Sequence, residues 1–438
     1  MLKTLQNAFK MKEVRNKILF DFLVLAVVRL GSSIPIPGVN ASYFAEFFAR
    51  QSGDAFNFFD AMTGGSFASL SVLALSITPY ITSSIIMQLL TVAIPKLEEM
   101  QKDGEDGRKK IAEWTRYLTV ALALIESTAM AVGFGGRGLL IEYNISSILV
   151  AVATMTAGSA FLMWLGEQIT AHGVGNGISV VLLFNILSSI PSDAKTLYER
   201  FMLGKSVAIQ VVMFLIVLAV IVAMVVFVVV LNGGERRIPV QYSKKTQGRM
   251  MVGGQSTFIP LKVNTANVIP VIFASSIMSM PVMISQFFTV DASSVGGKIL
   301  RALSSSNWFK PEAPLYSIGM ILYLALIVAF AYFYTSINFN PLEIANDMKK
   351  RGGFIPGIRP GKPTSEYLDK ILNYIVFIGA VGLIIVSVIP IMASGLFNIG
   401  QISFGGTSLI IIVGVVLETL KAIESLMLVR NYRGFLND

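Results

Sequence analysis

Long uncharged apolar runs alternate with short polar segments along most of this chain. Residues 313–342 contain no formally charged side chain, and similar runs cover residues 67–94, 145–166, 206–234, 263–290 and 371–417. A helix needs about 20 apolar residues to cross a bilayer, because every backbone N–H and C=O must find its partner inside the segment. The pattern therefore predicts an integral membrane protein with many spans.

The apolar runs divide into ten predicted helices. Residues 371–417 must hold two of them, since a single helix of that length is about 70 Å long, more than twice the hydrocarbon core. Pro390 and the glycine- and serine-rich stretch 393–407 supply the break. The predicted helices cover residues 18–37, 70–94, 116–134, 146–167, 175–191, 207–231, 266–288, 314–336, 371–391 and 405–428.

Lysine and arginine are distributed unevenly between the two sides of these spans. Of the 35 basic residues, 26 fall in the two termini and the loops on their side, 8 fall in the opposite loops, and Arg29 lies inside a span. Cytoplasmic loops carry the excess of positive charge in membrane proteins. The sequence therefore predicts that both termini lie in the cytoplasm.

The composition removes several classes of function. The chain is 54% hydrophobic and 14% charged, whereas soluble domains carry about 25% charged residues. It has no cysteine and a single histidine, His172, so thiol nucleophiles and histidine-based metal sites or triads are ruled out. No P-loop, zinc-protease or nucleophile-elbow motif occurs. We expect no catalytic site, no metal and no cofactor, and hence a protein that is not an enzyme.

Ionisable residues inside the spans are few. Arg29 in the first span and Glu126 in the third are the clearest, and such residues are costly in the membrane unless they have a function. One interpretation of Glu126 is a protonated carboxyl hydrogen-bonded to a neighbouring helix, and the other is a gate or relay element. A lone carboxyl gives little support for proton coupling.

One apolar segment, residues 56–65, is too short to span a membrane. It contains Asp60 and ends in Gly64 and Gly65. Segments of this length are usually interfacial or re-entrant, and non-helical backbone at depth needs protein or water around it. The pattern alone favours an interfacial segment.

Two long loops on the basic side are stiffened by turn-forming residues. Residues 232–262 read as a hairpin of strand-like runs around a basic turn, and residues 337–370 contain several Gly and Pro residues beside clustered Lys and Arg. Basic loops commonly serve as topology signals that also attract anionic lipid. A topology signal needs no stiffness, so a docking surface for an acidic or phosphate-bearing partner is an equal alternative.

A set of short motifs, in order along nearly the whole chain, resembles the SecY family, the channel subunits of the bacterial protein-translocation machinery. The strings are SIPIPG at 33–38, PYI at 79–81, WLGEQIT at 164–170, GNGIS at 175–179, RRIP at 236–239, NVIPVIFASS at 267–276, PGIRPG at 356–361 and FGGTSL at 404–409. Each string is modest alone, but together on ten predicted spans they are highly specific.

The resemblance implies an all-α integral membrane fold of ten transmembrane helices. Two inverted five-helix halves form an hourglass channel in this family, and a short re-entrant plug helix seals its external funnel; similar glycine-rich stretches before the fifth and tenth spans agree with such a repeat. The implied units are an N-terminal cytoplasmic amphipathic tail 1–17, a half 18–191 with its plug at about 56–66, an external linker 192–206, a half 207–428, and a cytoplasmic tail 429–438.

Specific residues acquire expected roles from the resemblance. An aliphatic ring at the constriction falls on Ile77, Ile81, Ile178, Leu182, Ile272 and Ile411, which without the resemblance are ordinary packing residues. The plug comprises Phe58, Phe59, Asp60, Met62, Gly64 and Gly65. A polar cluster at the lateral gate, between spans two and three and spans seven and eight, falls on Thr82, Glu126 and Asn264. The residues expected to bind the SecA motor ATPase or the ribosome are Lys244, Lys245, Arg249, Arg351 and Arg359.

The implied function is a protein-conducting channel in the bacterial cytoplasmic (inner) membrane. It passes unfolded preproteins that carry a signal peptide and releases transmembrane segments into the lipid bilayer. The implied partners are small SecE-like and SecG-like membrane subunits, the SecA motor, and the ribosome through its RNA. A secondary transporter with inverted repeats is the alternative, but it requires a polar midplane site where this chain has isoleucines. An intramembrane enzyme is a third, and its catalytic pair is missing from the sequence.

Overall fold

The fold is almost entirely helical. A computed structural model describes residues 8–40, 43, 60, 62–204, 206–242, 245–247, 250–252, 256–285, 294–304, 307–309, 314–397 and 406–434. The α-helices of this described part are, in order, α1 (Lys12–Ser32), α2 (Thr78–Ala93), α3 (Pro95–Lys102), α4 (Glu105–Phe134), α5 (Ile145–His172), α6 (Gly177–Phe201), α7 (Val207–Gly233), α8 (Ile269–Ser285), α9 (Val295–Leu303), α10 (Ser317–Asn338), α11 (Pro341–Lys350), α12 (Lys362–Phe397) and α13 (Gly406–Gly434).

Each of the ten predicted spans corresponds to one of these helices, namely α1, α2, α4, α5, α6, α7, α8, α10, α12 and α13. Within the described residues, six are long and apolar enough to cross a membrane: α4, α5, α6, α7, α10 and α12. A seventh arises if α2 and α3, bent by 103° at the break before Pro95, are one span. The ionisable residues of α1 and α13 and the shorter apolar length of α8 keep those three below this threshold.

The second predicted span was wrong at its start. Helix α2 begins at Thr78, and residues 64–77 form turns instead. Two backbone bonds hold this segment against the end of α1: the Ile36 N–H donates to the Leu70 C=O and the Val72 N–H donates to the Ile34 C=O. The Val72 N–H and the Leu70 C=O therefore bond to another segment and not within a helix, and helical hydrogen bonding starts only after them.

The predicted external linker 192–206 is also partly wrong, because helix α6 continues through Pro191 to Phe201. Proline removes one backbone donor, and the helix continues past it without that single hydrogen bond. Helix α1 begins at Lys12, earlier than expected, and ends at Ser32.

The two long basic loops fold together into one unit. Strand β1 (Glu235–Tyr242) pairs antiparallel with β4 (Ser256–Lys262), so the predicted hairpin is confirmed, and a smaller hairpin of β2 (Lys245–Gln247) and β3 (Met250–Val252) lies between them. The other edge of β1 pairs with β5 (Gly353–Phe354) from the second loop. Buried apolar side chains from both loops and from α12 fill the interior of this unit: Ile238, Val240, Leu261, Met348, Ile355, Leu368 and Ile375.

The apolar interior consists of several clusters that meet near the centre. One cluster joins α1, α5 and α6 with the residues just before α2, including Val24, Leu162 and Ile77. A larger cluster joins α6 with α7, α8, α10, α12 and α13. Helix α6 contributes to both clusters, so it connects the two sides of the molecule at the level of the predicted ring.

Candidate functional site

The predicted ring residues lie at or near the beginnings of four helices, and local sequence fixes each beginning. At α6 the Asn176 side chain caps the helix, accepting hydrogen bonds from the N–H groups of Ile178 at 3.1 Å and Ser179 at 3.4 Å. Gly177 lies so close to α5 that an added Cβ would meet the Gly166 carbonyl at 2.0 Å. Only glycine allows this approach, which sets the height and direction of the ring positions on α6.

All six predicted ring side chains are buried or half-buried and belong to the two central clusters. Leu182, Ile272 and Ile411 are members of the larger cluster. Ile77 belongs to the other cluster, against which Ile178 packs, and Ile81 packs against both. None of these side chains carries a polar atom, so where they adjoin they offer no donor or acceptor to an ion or to water.

The described part of the predicted plug lies against this apolar region. Met62 is 4% exposed and packs in the same cluster as Leu182, Ile272 and Ile411. Asp60 fixes the turn that follows, since its Oδ1 accepts a hydrogen bond from the Ala68 N–H at 2.8 Å. Gly64 and Gly65 have φ of 67° and 84°, the left-handed region that favours glycine. Phe58 and Phe59 lie outside the described residues.

Burial changes the acidity of Asp60, which belongs to the plug and not to a spanning helix. Loss of water around the carboxyl raises its pKa, and the hydrogen bond from the Ala68 N–H acts in the opposite direction. The ionised carboxylate is the better acceptor for that N–H, so the local turn and the charge state of Asp60 depend on each other.

The predicted polar cluster at the lateral gate is not held together by hydrogen bonds in this closed arrangement. The Thr82 hydroxyl donates to the Thr78 carbonyl of its own helix at 3.1 Å. Asn264 donates to the Asn232 Oδ1 at 2.8 Å, at the junction of α7 and β4, so its amide is engaged away from Glu126. Among the described residues no hydrogen bond to Glu126 is recorded. Thr82 and Asn264 therefore have hydrogen-bond partners other than Glu126, and the role of the three residues at a gate stays a prediction.

The described docking residues of the second basic loop are exposed. Arg359 projects from a turn flanked by Gly357 and Gly361, whose φ values of 84° and 105° require glycine. The Arg359 carbonyl accepts a hydrogen bond from the Thr364 hydroxyl at 2.8 Å, which fixes the turn to the start of α12. Arg351 is exposed at the end of α11. Lys245 begins β2, while Lys244 and Arg249 lie outside the described residues.

Comparison with known proteins now places the chain in a family. A family model described as SecY matches residues 71–420. The protein translocase subunit SecY of Bacillus subtilis (strain 168) is 42% identical over 448 residues, with all of both chains covered. The chain belongs to the SecY family. It is therefore a multi-pass membrane protein and a relative of translocase channel subunits.

Solved structures agree on the fold of this SecY-family chain. One described as "The structure of a protein conducting channel" superposes with a TM-score of 0.61 at 18% identity, covering 93% of this chain and 91% of that one. Another, "Sec61 in the Canine ribosome-channel complex from the endoplasmic reticulum", gives a TM-score of 0.59 at 17% identity, with coverages of 93% and 91%. At these identities the likeness shows the shared channel fold.

Several polar residues around the plug of this SecY-family chain escaped the sequence analysis. Arg29, noted only as a charge inside a span, contacts the backbone of the plug, and so do Asn185 and Ser188 of α6. Asp21 on α1 accepts a hydrogen bond at 3.0 Å from the Val174 N–H in the glycine-rich segment before α6. A polar residue at helical spacing inside an apolar run is the signal that could have identified them.

Proposed function

We propose that this chain is the protein-conducting subunit of a bacterial translocase, passing unfolded, signal-bearing polypeptides across the cytoplasmic membrane and releasing transmembrane segments sideways into lipid. The observation that carries the proposal is the group of six aliphatic side chains, drawn from α2, α6, α8 and α13, with Met62 packed against them. A polar midplane site for a small solute has no counterpart among these side chains.

An aliphatic constriction suits a channel that must admit many different chains and still hold back ions. Apolar side chains give a hydrated ion nothing to replace its water, so a narrow ring stays dewetted and closed to ions. The same side chains have no directional bonds to break when a polypeptide enters. They therefore adapt to small and large residues alike and close again behind the chain.

The lateral gate lies, in this proposal, between α2 and α4 on one side and α8 and α10 on the other. Thr82 and Asn264 have hydrogen-bond partners on their own side, so parting the gate breaks no bond between them. Glu126 is the remaining polar group on that path. A signal peptide or a transmembrane segment enters as an apolar helix and meets lipid on one flank and the channel wall on the other.

Both termini and the sheet unit built from the two basic loops are proposed to lie in the cytoplasm, supported by the excess of Lys and Arg on that side. Arg351 and Arg359, with Lys244, Lys245 and Arg249, are proposed to bind SecA or the phosphates of ribosomal RNA. Small SecE-like and SecG-like subunits complete the complex. The motor or the ribosome supplies the driving force, so the chain itself is proposed to have no catalytic activity.

Two experiments test the proposal. Purification in mild detergent is expected to recover small single-span and hairpin membrane proteins in fixed stoichiometry with this chain. The purified complex in proteoliposomes, given SecA, ATP and a preprotein, is expected to protect the preprotein from external protease only when its signal peptide is intact. Uptake of a small solute by proteoliposomes lacking any motor, with no protease protection of the preprotein, would instead establish the transporter alternative.

A further inference from the structure

The described end of the plug is held in place through its backbone and not through its side chains. On one side, the Arg29 guanidinium of α1 donates from Nη1 to the Gly64 carbonyl at 3.0 Å. On the other, the Asn185 amide of α6 donates from Nδ2 to the Met62 carbonyl at 3.1 Å. The Ser188 hydroxyl accepts a hydrogen bond from Arg29 Nη1 at 3.4 Å, and its single hydrogen is shared between the Asn185 carbonyl at 2.7 Å and the Gly64 carbonyl at 3.3 Å.

Gly64 fits against α6 with no space to spare. A Cβ added at this position would meet the Ser188 Oγ at 2.7 Å and the Asn185 Cα and carbonyl oxygen at 3.1 Å each. Gly64 is thus required for the close approach as well as for its positive φ. Gly65 and Gly204 also have positive φ, of 84° and 77°, but an added Cβ at either would meet nothing within 4 Å.

Asn185 also connects the plug to the start of α2. The same Nδ2 that binds the Met62 carbonyl lies 3.1 Å from the Ser76 Oγ. Ser76 is buried, has an unusual φ of 49° for a residue that is not glycine, and its carbonyl accepts a hydrogen bond from the Ser159 hydroxyl at 3.1 Å. The next residue is Ile77 of the ring. A single buried amide group therefore binds the plug and the residue that precedes the ring.

We propose that Arg29, Asn185 and Ser188 form a latch that holds the plug by its Met62 and Gly64 carbonyls, and that this latch sets how strong a signal peptide must be to open the channel. The inference rests on the proposed function and adds to it the residues that determine substrate stringency. Because the latch grips backbone carbonyls, it operates whatever side chains the plug carries.

The latch makes opening cooperative. Moving the plug outward breaks the bonds at Met62 and Gly64 together, and it frees the Asn185 amide that also contacts Ser76. Each lost hydrogen bond shifts an equilibrium by about fivefold on average, so removing the Asn185 amide, which makes one hydrogen bond to the plug, is expected to raise the open population about fivefold. The hydrogen bond from the charged Arg29 guanidinium to the Gly64 carbonyl is expected to be stronger than one between two neutral groups.

The test compares four variants of the full complex in proteoliposomes: Gly64→Ala, Asn185→Leu, Arg29→Met and the control Gly204→Ala. Gly204→Ala imposes left-handed backbone strain at a position where an added Cβ would meet nothing within 4 Å. Two readouts are taken: resting ion leak, and protease protection of a preprotein whose signal peptide carries one inserted polar residue. The first three variants are expected to raise both about five- to tenfold over wild type, while Gly204→Ala stays within twofold. Gly65→Ala introduces backbone strain inside the plug without a steric clash. Its ion leak and its protection of the weak-signal preprotein are expected to lie between those of Gly204→Ala and Gly64→Ala.

Each outcome decides one claim. The latch is overturned if Asn185→Leu and Arg29→Met both leak ions no more than wild type and both reject the weak signal peptide as wild type does. In that case the proposed function still stands, provided that the wild-type complex translocates the normal preprotein. If wild type fails to translocate the normal preprotein, the proposed function fails, and the leak readout still decides whether the plug is held by these residues. Recovery of each variant with its small subunits in wild-type yield shows that it is folded; if Asn185→Leu is not recovered, Arg29→Met decides, and if Arg29→Met is not recovered, Asn185→Leu decides.

Discussion

In the proposed channel, the predicted ring and the seat of the predicted plug close the pore by opposite chemistry. The ring consists of aliphatic side chains whose contacts have no direction, and they lie in clusters shared by α2, α6, α8 and α13. The predicted plug packs against ring residues through Met62. It is held by hydrogen bonds from Arg29 and Asn185 to its main-chain carbonyls. Undirected contacts weaken gradually as the helices move, whereas directed bonds are either made or lost.

This difference assigns each seal a separate task. The ring can widen by small amounts and stay apolar, so it seals around whatever chain is passing. The plug has one seated position and leaves it in a single step, so it sets the threshold for opening. Because the two seals lie in series, ions pass only while both are open at once, so weakening either seal multiplies the leak by its own factor.

The largest effect is expected from making the ring polar. Replacing Ile81, Ile272 and Ile411 together with Thr keeps their branched shape but adds hydroxyl groups that hydrate the constriction. Resting ion leak in planar bilayers is expected to rise at least tenfold. The matched variant with Val at all three positions keeps the ring apolar and is expected to stay within about threefold of wild type. Equal leak from the Thr and Val variants would show that these residues do not form the barrier.

A smaller effect is expected from reversing charge on the second basic loop. Arg359→Glu places an acidic group on the exposed turn between Gly357 and Gly361 and should repel an acidic or phosphate-bearing partner. The rate of motor- or ribosome-dependent translocation is expected to fall several-fold, with the amount of protein in the membrane unchanged. Lys298→Glu, an exposed charge on α9 on the opposite side of the membrane, is the control and is expected to leave the rate unchanged. A normal rate for Arg359→Glu, and for the same change at Arg249, would exclude the docking role.

The smallest effect is expected at the lateral gate. Glu126→Leu removes a polar group that has no recorded partner among the described residues, and polar contacts between membrane helices are worth about 0.6 kcal/mol on average. The fraction of a weak-signal preprotein that is translocated is expected to change by about threefold, with Glu126→Gln falling nearer to wild type. A change of less than 20% in the Leu variant would remove Glu126 from the gate.

The sequence predicted the helices, the basic loop hairpin and the family more fully than it predicted the polar contacts. Apolar runs identify membrane helices because the bilayer imposes length and composition on each segment separately. The start of α2 at Thr78 could not be found this way, since the turns before it depend on backbone bonds to Ile34 and Ile36 in a distant segment. The same holds for Asn185, whose partners are 123 and 109 residues away.

The polar cluster at the gate shows the limit of assigning residues by family motif. Thr82 lies on α2 and Asn264 in the turn between β4 and α8, and their hydrogen bonds are made to Thr78 and Asn232. A motif fixes the position of a residue along the chain, whereas the choice among competing acceptors depends on distances of a few tenths of an ångström. The burial of the six predicted ring side chains is less sensitive to such shifts, since apolar contacts tolerate them, and their role as a constriction stays a prediction.

The measurement that most directly tests two seals of opposite chemistry is the ion conductance of planar bilayers containing four proteins: wild type, the ring variant with Thr at Ile81, Ile272 and Ile411, the plug variant Gly64→Ala, and the combination of both. Because ions pass only while both seals are open, the combined variant is expected to exceed wild type by about the product of the two single increases. A combined conductance no greater than that of the leakier single variant would contradict the account, because it would mean that ring and plug form one barrier.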